Sequence, residues 1–138
     1  MFARLDHVSI GVLDIDKARR LFCDVLGGEP LPDAGTSNAE GFDWMTFMLG
    51  GRKMELVTPR TRGAGGVGRY LEKNGEGFHH ICCTVEDIPA AIAHCEAHGI
   101  RILGGDGRRY FYLHPGDTFG ALIQVIEETP ESLALAGP

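Results

Sequence analysis

The chain has 138 residues, 43% of them hydrophobic and 23% charged, with a formal net charge of -6 at neutral pH. That is a globular composition, with enough chain for one real core and too little for two ordinary domains. The negative balance argues against nucleic acid and anionic membranes as partners, and no run approaches the roughly 20 apolar residues of a membrane helix.

The first residues, Met1-Phe2-Ala3-Arg4-Leu5-Asp6-His7-Val8, lack the basic-then-apolar pattern of a signal peptide. From Leu5 to Val12 the alternation predicts a strand, with Leu5, His7, Ser9 and Gly11 on one face and Val8, Ile10 and Val12 on the other. Ile15, Ala18, Leu21, Phe22 and Val25 then recur at helical spacing until Gly27-Gly28, and Asp14 stands where an N-cap belongs. Phe47-Met48-Leu49 and Met54-Glu55-Leu56-Val57-Thr58-Pro59, around a glycine turn, predict a hairpin. Gly63-Ala64-Gly65-Gly66-Val67-Gly68 lacks the strand-to-helix context and the Lys-Ser/Thr of a phosphate loop, and is expected to be a flexible linker. Phe78 to Val85 repeats the strand pattern. Asp87 caps a second helix running from Ile88 to His98-Gly99, and Phe111-Tyr112-Leu113 with Leu122-Ile123-Gln124-Val125-Ile126 predict a second hairpin. The last residues, Glu131 to Pro138, are either a short helix or a frayed end.

These elements form an internal repeat. A shift of 73 positions superposes His7 on His80, Val12 on Val85, Asp14 on Asp87, Ile15 on Ile88 and Ala18 on Ala91. Each copy reads strand, helix, then two or three strands. The expected organisation is a first βαβββ module over 1–62, a linker over 63–77, a second module over 78–128 and a tail over 129–138. One module of about 65 residues buries too little apolar surface alone. Two of them, paired within the chain or across a homodimer, complete a core, and a homodimer is the expected assembly. The fold class is α+β: two tandem modules forming a curved mixed sheet around a metal-containing cleft.

Pairing about a pseudo-twofold axis brings equivalent residues together. His7, His80, Glu55 and Gln124 then converge from four strands. Neutral imidazole nitrogen with carboxylate oxygen suits a borderline divalent ion such as Zn, Co, Ni, Mn or Fe(II). Gln124, an isolated amide in an apolar run, needs a partner: a metal, a water or a substrate. His79 alternates away from His80 and is expected to be structural, while His94 and His98 fall on the helix surface. Cys23, Cys82, Cys83 and Cys95 form no C-x-x-C pair and are expected to be reduced core thiols of a cytoplasmic protein.

Leu5-Asp6-His7-Val8-Ser9-Ile10, Lys53-Met54-Glu55-Leu56-Val57-Thr58-Pro59 and Gly75-Glu76-Gly77-Phe78-His79-His80-Ile81 together resemble the vicinal oxygen chelate superfamily. Among its members the chain is most similar to methylmalonyl-CoA epimerases and their glyoxalase-like relatives. Val67-Gly68-Arg69-Tyr70-Leu71-Glu72-Lys73-Asn74, Tyr112-Leu113-His114-Pro115 and Gly120-Ala121-Leu122-Ile123 match as well. The resemblance implies metal ligands at His7, Glu55, His80 and Gln124. It also implies a metal-dependent epimerase or isomerase that removes a proton beside a carbonyl through a stabilised enolate, on a carbonyl acid or acyl-CoA. Most such epimerases carry glutamate at the last ligand position, and Gln124 cannot act as a base at neutral pH. The candidate bases are then Glu55, Glu40 and Asp43. The same superfamily offers two alternatives: a non-haem Fe(II) oxygenase using His7, His80 and one carboxylate, and a resistance protein that sequesters a small molecule.

Overall fold

The computed structural model describes residues 2–135. They fall into two compact units, one of residues 8–79 and one of residues 2–7 with 80–135. Two strands contribute to both, β1 (Phe2–Gly11) and β5 (Gly77–Val85).

In the unit of residues 8–79, β1 leads into helix α1 (Ile15–Arg19), capped by Asp14, whose carboxylate accepts from the Lys17 N–H at 3.1 Å. The helix runs on as a π-helical segment, Arg20–Val25, where the Leu26 N–H reaches the Leu21 carbonyl at 2.9 Å. Strands β2 (Glu29–Ser37), β3 (Phe42–Leu49) and β4 (Arg52–Pro59) follow. The order is β2-β3-β4-β1, with β4 antiparallel to β3 and parallel to β1. The register sorts the faces. Val12, Phe47 and Leu56 pack with Cys23, Ile15, Ala18 and Phe22 under α1 and the π-helical segment.

On the other face, Val57, Phe42 and Trp44 pack against Val67 and Leu71 of a helix α2 (Gly65–Asn74). That helix corrects the expected flexible linker. Its start is glycine-rich and its N-cap, Ala64, makes no side-chain capping bond, so local propensity argues against it. Burial of Val67 and Leu71, only 7% and 5% exposed, holds it in place. Gly11 permits the approach, since a Cβ there would meet Leu71 Cδ2 at 2.7 Å.

In the other unit, β5 passes to helix α3 (Ile88–Ala97), capped by Asp87 at 2.9 Å from the Ala90 N–H. Strands β6 (Ile102–Gly105), β7 (Tyr110–Leu113) and β8 (Ile123–Glu127) complete the order β5-β8-β7-β6, with β8 parallel to β5. Val85, Phe111, Leu113 and Val125 pack with Ile88, Ala91 and Cys95 beneath α3. A short helix α4 (Pro130–Ala134) with a Thr129–Ser132 capping box follows, which decides the tail as helical up to Ala134; residues 136–138 lie outside the described region. The α+β class and the βαβββ order of each repeat are as the sequence predicts. The four cysteines are free, three of them buried. Among the described residues no helix is long and apolar enough to cross a membrane.

Candidate metal centre

The register makes the two repeats equivalent where chemistry is expected. Glu55 on β4 stands opposite Ser9, two residues beyond His7 on β1. Gln124 on β8 stands opposite Cys82, two residues beyond His80 on β5. Two steps along a strand return to the same face, so Glu55 shares the face of His7, and Gln124 that of His80.

His7 and His80 are both buried, and their rings meet edge to face with centroids 5.6 Å apart. Asp6, fully buried, puts one carboxylate oxygen 2.7 Å from His7 Nδ1 and accepts at the other from Arg4 Nη1 at 2.7 Å. The Arg4 Nη2 group donates to Glu128 at 2.8 Å, and the hydroxyls of Thr84 and Ser132 donate to Glu128 at the same distance. This arginine holds the Glu128 carboxyl below the usual carboxylate range. The Tyr112 ring stands edge-on to His80, with centroids 6.4 Å apart, and the Gln124 amide donates to its hydroxyl at 3.4 Å.

In the unit of residues 8–79, the Ser9 hydroxyl donates to Glu55 Oε1 at 2.8 Å. Thr46, opposite Glu55 on β3, is fully buried and donates to the Asp33 carbonyl. The buried Lys53 ammonium lies 3.2 Å from the Asp33 carboxylate. His79 packs its ring edge-on to Tyr70, centroids 4.6 Å apart. Burial pushes its pKa down, opposed by the Glu55 charge, in keeping with the structural role expected of it. A depression of about 430 Å³ lined by Val12, Leu21, Phe22 and Glu76 lies on the helix-covered side, away from the face of Glu55.

The structure thus brings His7 and His80 together, with Gln124 beside His80 and Glu55 on the strand paired to that of His7. It does not bring Asp43 to this face. Asp43 is three residues before Thr46, so it points to the opposite side of β3, where it accepts from Thr36 at 2.6 Å and lies 3.9 Å from Arg60. Glu40 sits exposed in the turn before β3. His94 and His98 are exposed on and just after α3, as expected. Sequence reasoning missed Asp6, Ser9 and Tyr112. Alternation alone would have found Ser9, on the His7 face, and Tyr112, opposite Gln124. The donor set fits a divalent ion of borderline softness, with two imidazoles and one carboxylate at equivalent or paired positions.

Residues 6–115 match the family model described as the Glyoxalase/Bleomycin resistance protein/Dioxygenase superfamily, and the chain belongs to that superfamily. It is 36% identical over 135 residues to the mitochondrial methylmalonyl-CoA epimerase of Bos taurus, covering 88% of this chain and 73% of that protein. With the ethylmalonyl-CoA/methylmalonyl-CoA epimerase of Cereibacter sphaeroides it shares 35% identity, covering 91% and 98%. A variant of the Streptomyces coelicolor methylmalonyl-CoA epimerase, solved in complex with 2-nitronate-propionyl-CoA, superposes with a TM-score of 0.82 at 27% identity, covering 94% of this chain and 97% of that one. Within the superfamily the chain is a member of the methylmalonyl-CoA epimerase family, and it is an epimerase-like enzyme.

Proposed function

We propose that the chain epimerises the carbon beside the thioester carbonyl of a 2-carboxyacyl-CoA such as methylmalonyl-CoA, with one divalent metal held by His7, His80 and Glu55 and with Gln124 at the fourth position. The observation that carries this is the matched register, Glu55 opposite Ser9 and Gln124 opposite Cys82. The two imidazoles, buried with ring centroids 5.6 Å apart, support it.

A divalent ion bound there supplies a Lewis acid to carbonyl oxygens, easing loss of the neighbouring proton. The chain's own residues divide the remaining work. Glu55 is the carboxylate that accepts the proton from one face of the substrate carbon, the Ser9 hydroxyl keeping Oε1 in place, and a proton from water delivered to the opposite face of the enolate completes the inversion. Gln124 cannot accept a proton as a base at neutral pH; its amide, held by the Tyr112 hydroxyl, binds and orients. Asp43 has no part, since it faces away.

The test combines elemental analysis with exchange in heavy water. One equivalent of divalent metal, lost in His7→Ala and His80→Ala, is expected. The metal-loaded protein is expected to place deuterium at the carbon between the carboxylate and thioester of methylmalonyl-CoA, and Glu55→Ala to slow this by about 10²–10⁴-fold. A metal-loaded protein that exchanges nothing into that substrate would sink the proposal.

Four free cysteines support a reducing compartment, and we place the protein in the cytoplasm. The exposed Leu21, Val25 and Leu26, in and just after the π-helical segment, support pairing of two copies, which light scattering at micromolar concentration tests.

A further inference from the structure

We infer that Asp6, itself held by Arg4, is a positioning residue that fixes the tautomer of His7, so that Nε2 is the nitrogen left to bind metal. This rests on the metal reading above and adds to it a residue and a chemical choice.

The geometry is local and buried. One Asp6 oxygen lies 2.7 Å from His7 Nδ1, and the other accepts from Arg4 Nη1 at 2.7 Å, with the Asp6 side chain fully buried. An ionised carboxylate only accepts, so the ring nitrogen facing it carries the hydrogen. A neutral imidazole has one N–H, which leaves the lone pair on Nε2. Arg4 is held in turn by Glu128, itself bound by Thr84 and Ser132. The carboxylate therefore has a fixed orientation. The equivalent position in the other repeat differs: a shift of 73 positions places His79, which offers no carboxylate, where Asp6 stands. His7 is thus the ligand whose basicity a buried carboxylate supports, and His80 serves as an internal control.

Asp6→Asn tests this because it keeps the shape. Asparagine has one oxygen and one NH₂. The Arg4 donors claim the oxygen, which turns the NH₂ toward His7 Nδ1. That nitrogen must then accept, and the ring hydrogen moves to Nε2, where it blocks ligation. In apo protein labelled with ¹⁵N-histidine and held at alkaline pH, the wild type is expected to show His7 protonated at Nδ1. Asp6→Asn is expected to show it at Nε2, with His80 unchanged. Cobalt(II) affinity should fall about 10- to 100-fold in Asp6→Asn. Adding Arg4→Met frees the asparagine amide to turn, so the double variant should recover the Nδ1–H tautomer.

A wild-type His7 protonated at Nε2 overturns the inference, and this reading stands even if Asp6→Asn fails to fold. So does an Asp6→Asn protein that keeps both the wild-type tautomer and wild-type cobalt affinity. If the wild type shows the Nδ1–H tautomer yet binds no cobalt, the metal reading fails instead; the apo spectrum and the titration tell the two failures apart.

Discussion

Removing the Ser9 hydroxyl is the sharpest test of how Glu55 is held. Ser9 is fully buried on β1 and donates to Glu55 Oε1 at 2.8 Å from the directly opposite position on β4. A hydrogen bond to an ionised group contributes about 1.5–3 kcal/mol, and the lost oxygen leaves only a small void. Ser9→Ala should therefore cost about that much in stability, a shift of roughly 1 M in the urea midpoint at ordinary slopes. Ser9→Cys separates the bond from the volume. The equivalent residue in the second repeat is Cys82, also fully buried, so this strand position accepts sulfur. A thiol is only a weak donor, and Ser9→Cys should still lose more than about 1 kcal/mol. Cobalt affinity should drop with it, by about tenfold, because the carboxylate is no longer oriented. A Ser9→Cys protein within about 0.5 kcal/mol of wild type, with unchanged cobalt binding, would refute the reasoning.

Leu71→Ala tests whether α2 is part of the core. With Leu71 at 5% exposure, the loss should be about 2–5 kcal/mol by urea unfolding, where a solvated linker would show under about 0.5. Asp117 accepts from the Arg101 side chain and its backbone N–H, which hold its carboxyl at about 2, below the ordinary 3.8. A depressed carboxyl stabilises the fold above its unfolded value, so this contribution is lost as pH falls from 3.8 through about 2. Asp117→Asn should flatten that part of the urea-midpoint profile while leaving the profile's shape near neutrality unaltered.

What the sequence made legible depended on period and repetition. A period of two put His7 and His80 on defined faces, and the repeat matched Glu55 with Gln124, which the parallel registers bear out residue for residue. Asp14 and Asp87 were readable as caps because capping is a local bond. Helix α2 was not, since its stability comes from Val57 and Trp44, distant in sequence, overriding four glycines in and beside its first turn. The π-helical segment escaped because a wider turn leaves the apolar spacing nearly unchanged. Strand β2 is rich in proline and glycine and reads as loop; its place at the sheet edge explains why it tolerates Pro30 and Pro32. Asp43 was attractive by proximity in sequence, but one residue of register turns a strand side chain to the other face. Asp6 misled in the opposite sense. Alternation sends its Cβ away from that of His7, yet Nδ1 lies beside Cγ, close to the backbone, where a short neighbouring carboxylate reaches it.

The division of Glu55 and Gln124 between the repeats bears on what the proposed centre can take. Two carboxylates at these equivalent places would neutralise a divalent ion. One carboxylate and one amide would leave the ion and its ligands with a net positive charge. The chain as a whole carries a formal charge of -6, which opposes approach of an anion. At contact distance an ion held by these residues would outweigh that distant, screened field. A substrate bearing its own carboxylate next to the reacting carbon supplies the missing negative charge, whereas a neutral carbonyl compound does not. In the proposed centre the Glu55–Gln124 pairing would leave a positive charge for a substrate carboxylate to offset, and competition by small dicarboxylates, stronger than by their monoesters, is the expected binding signature.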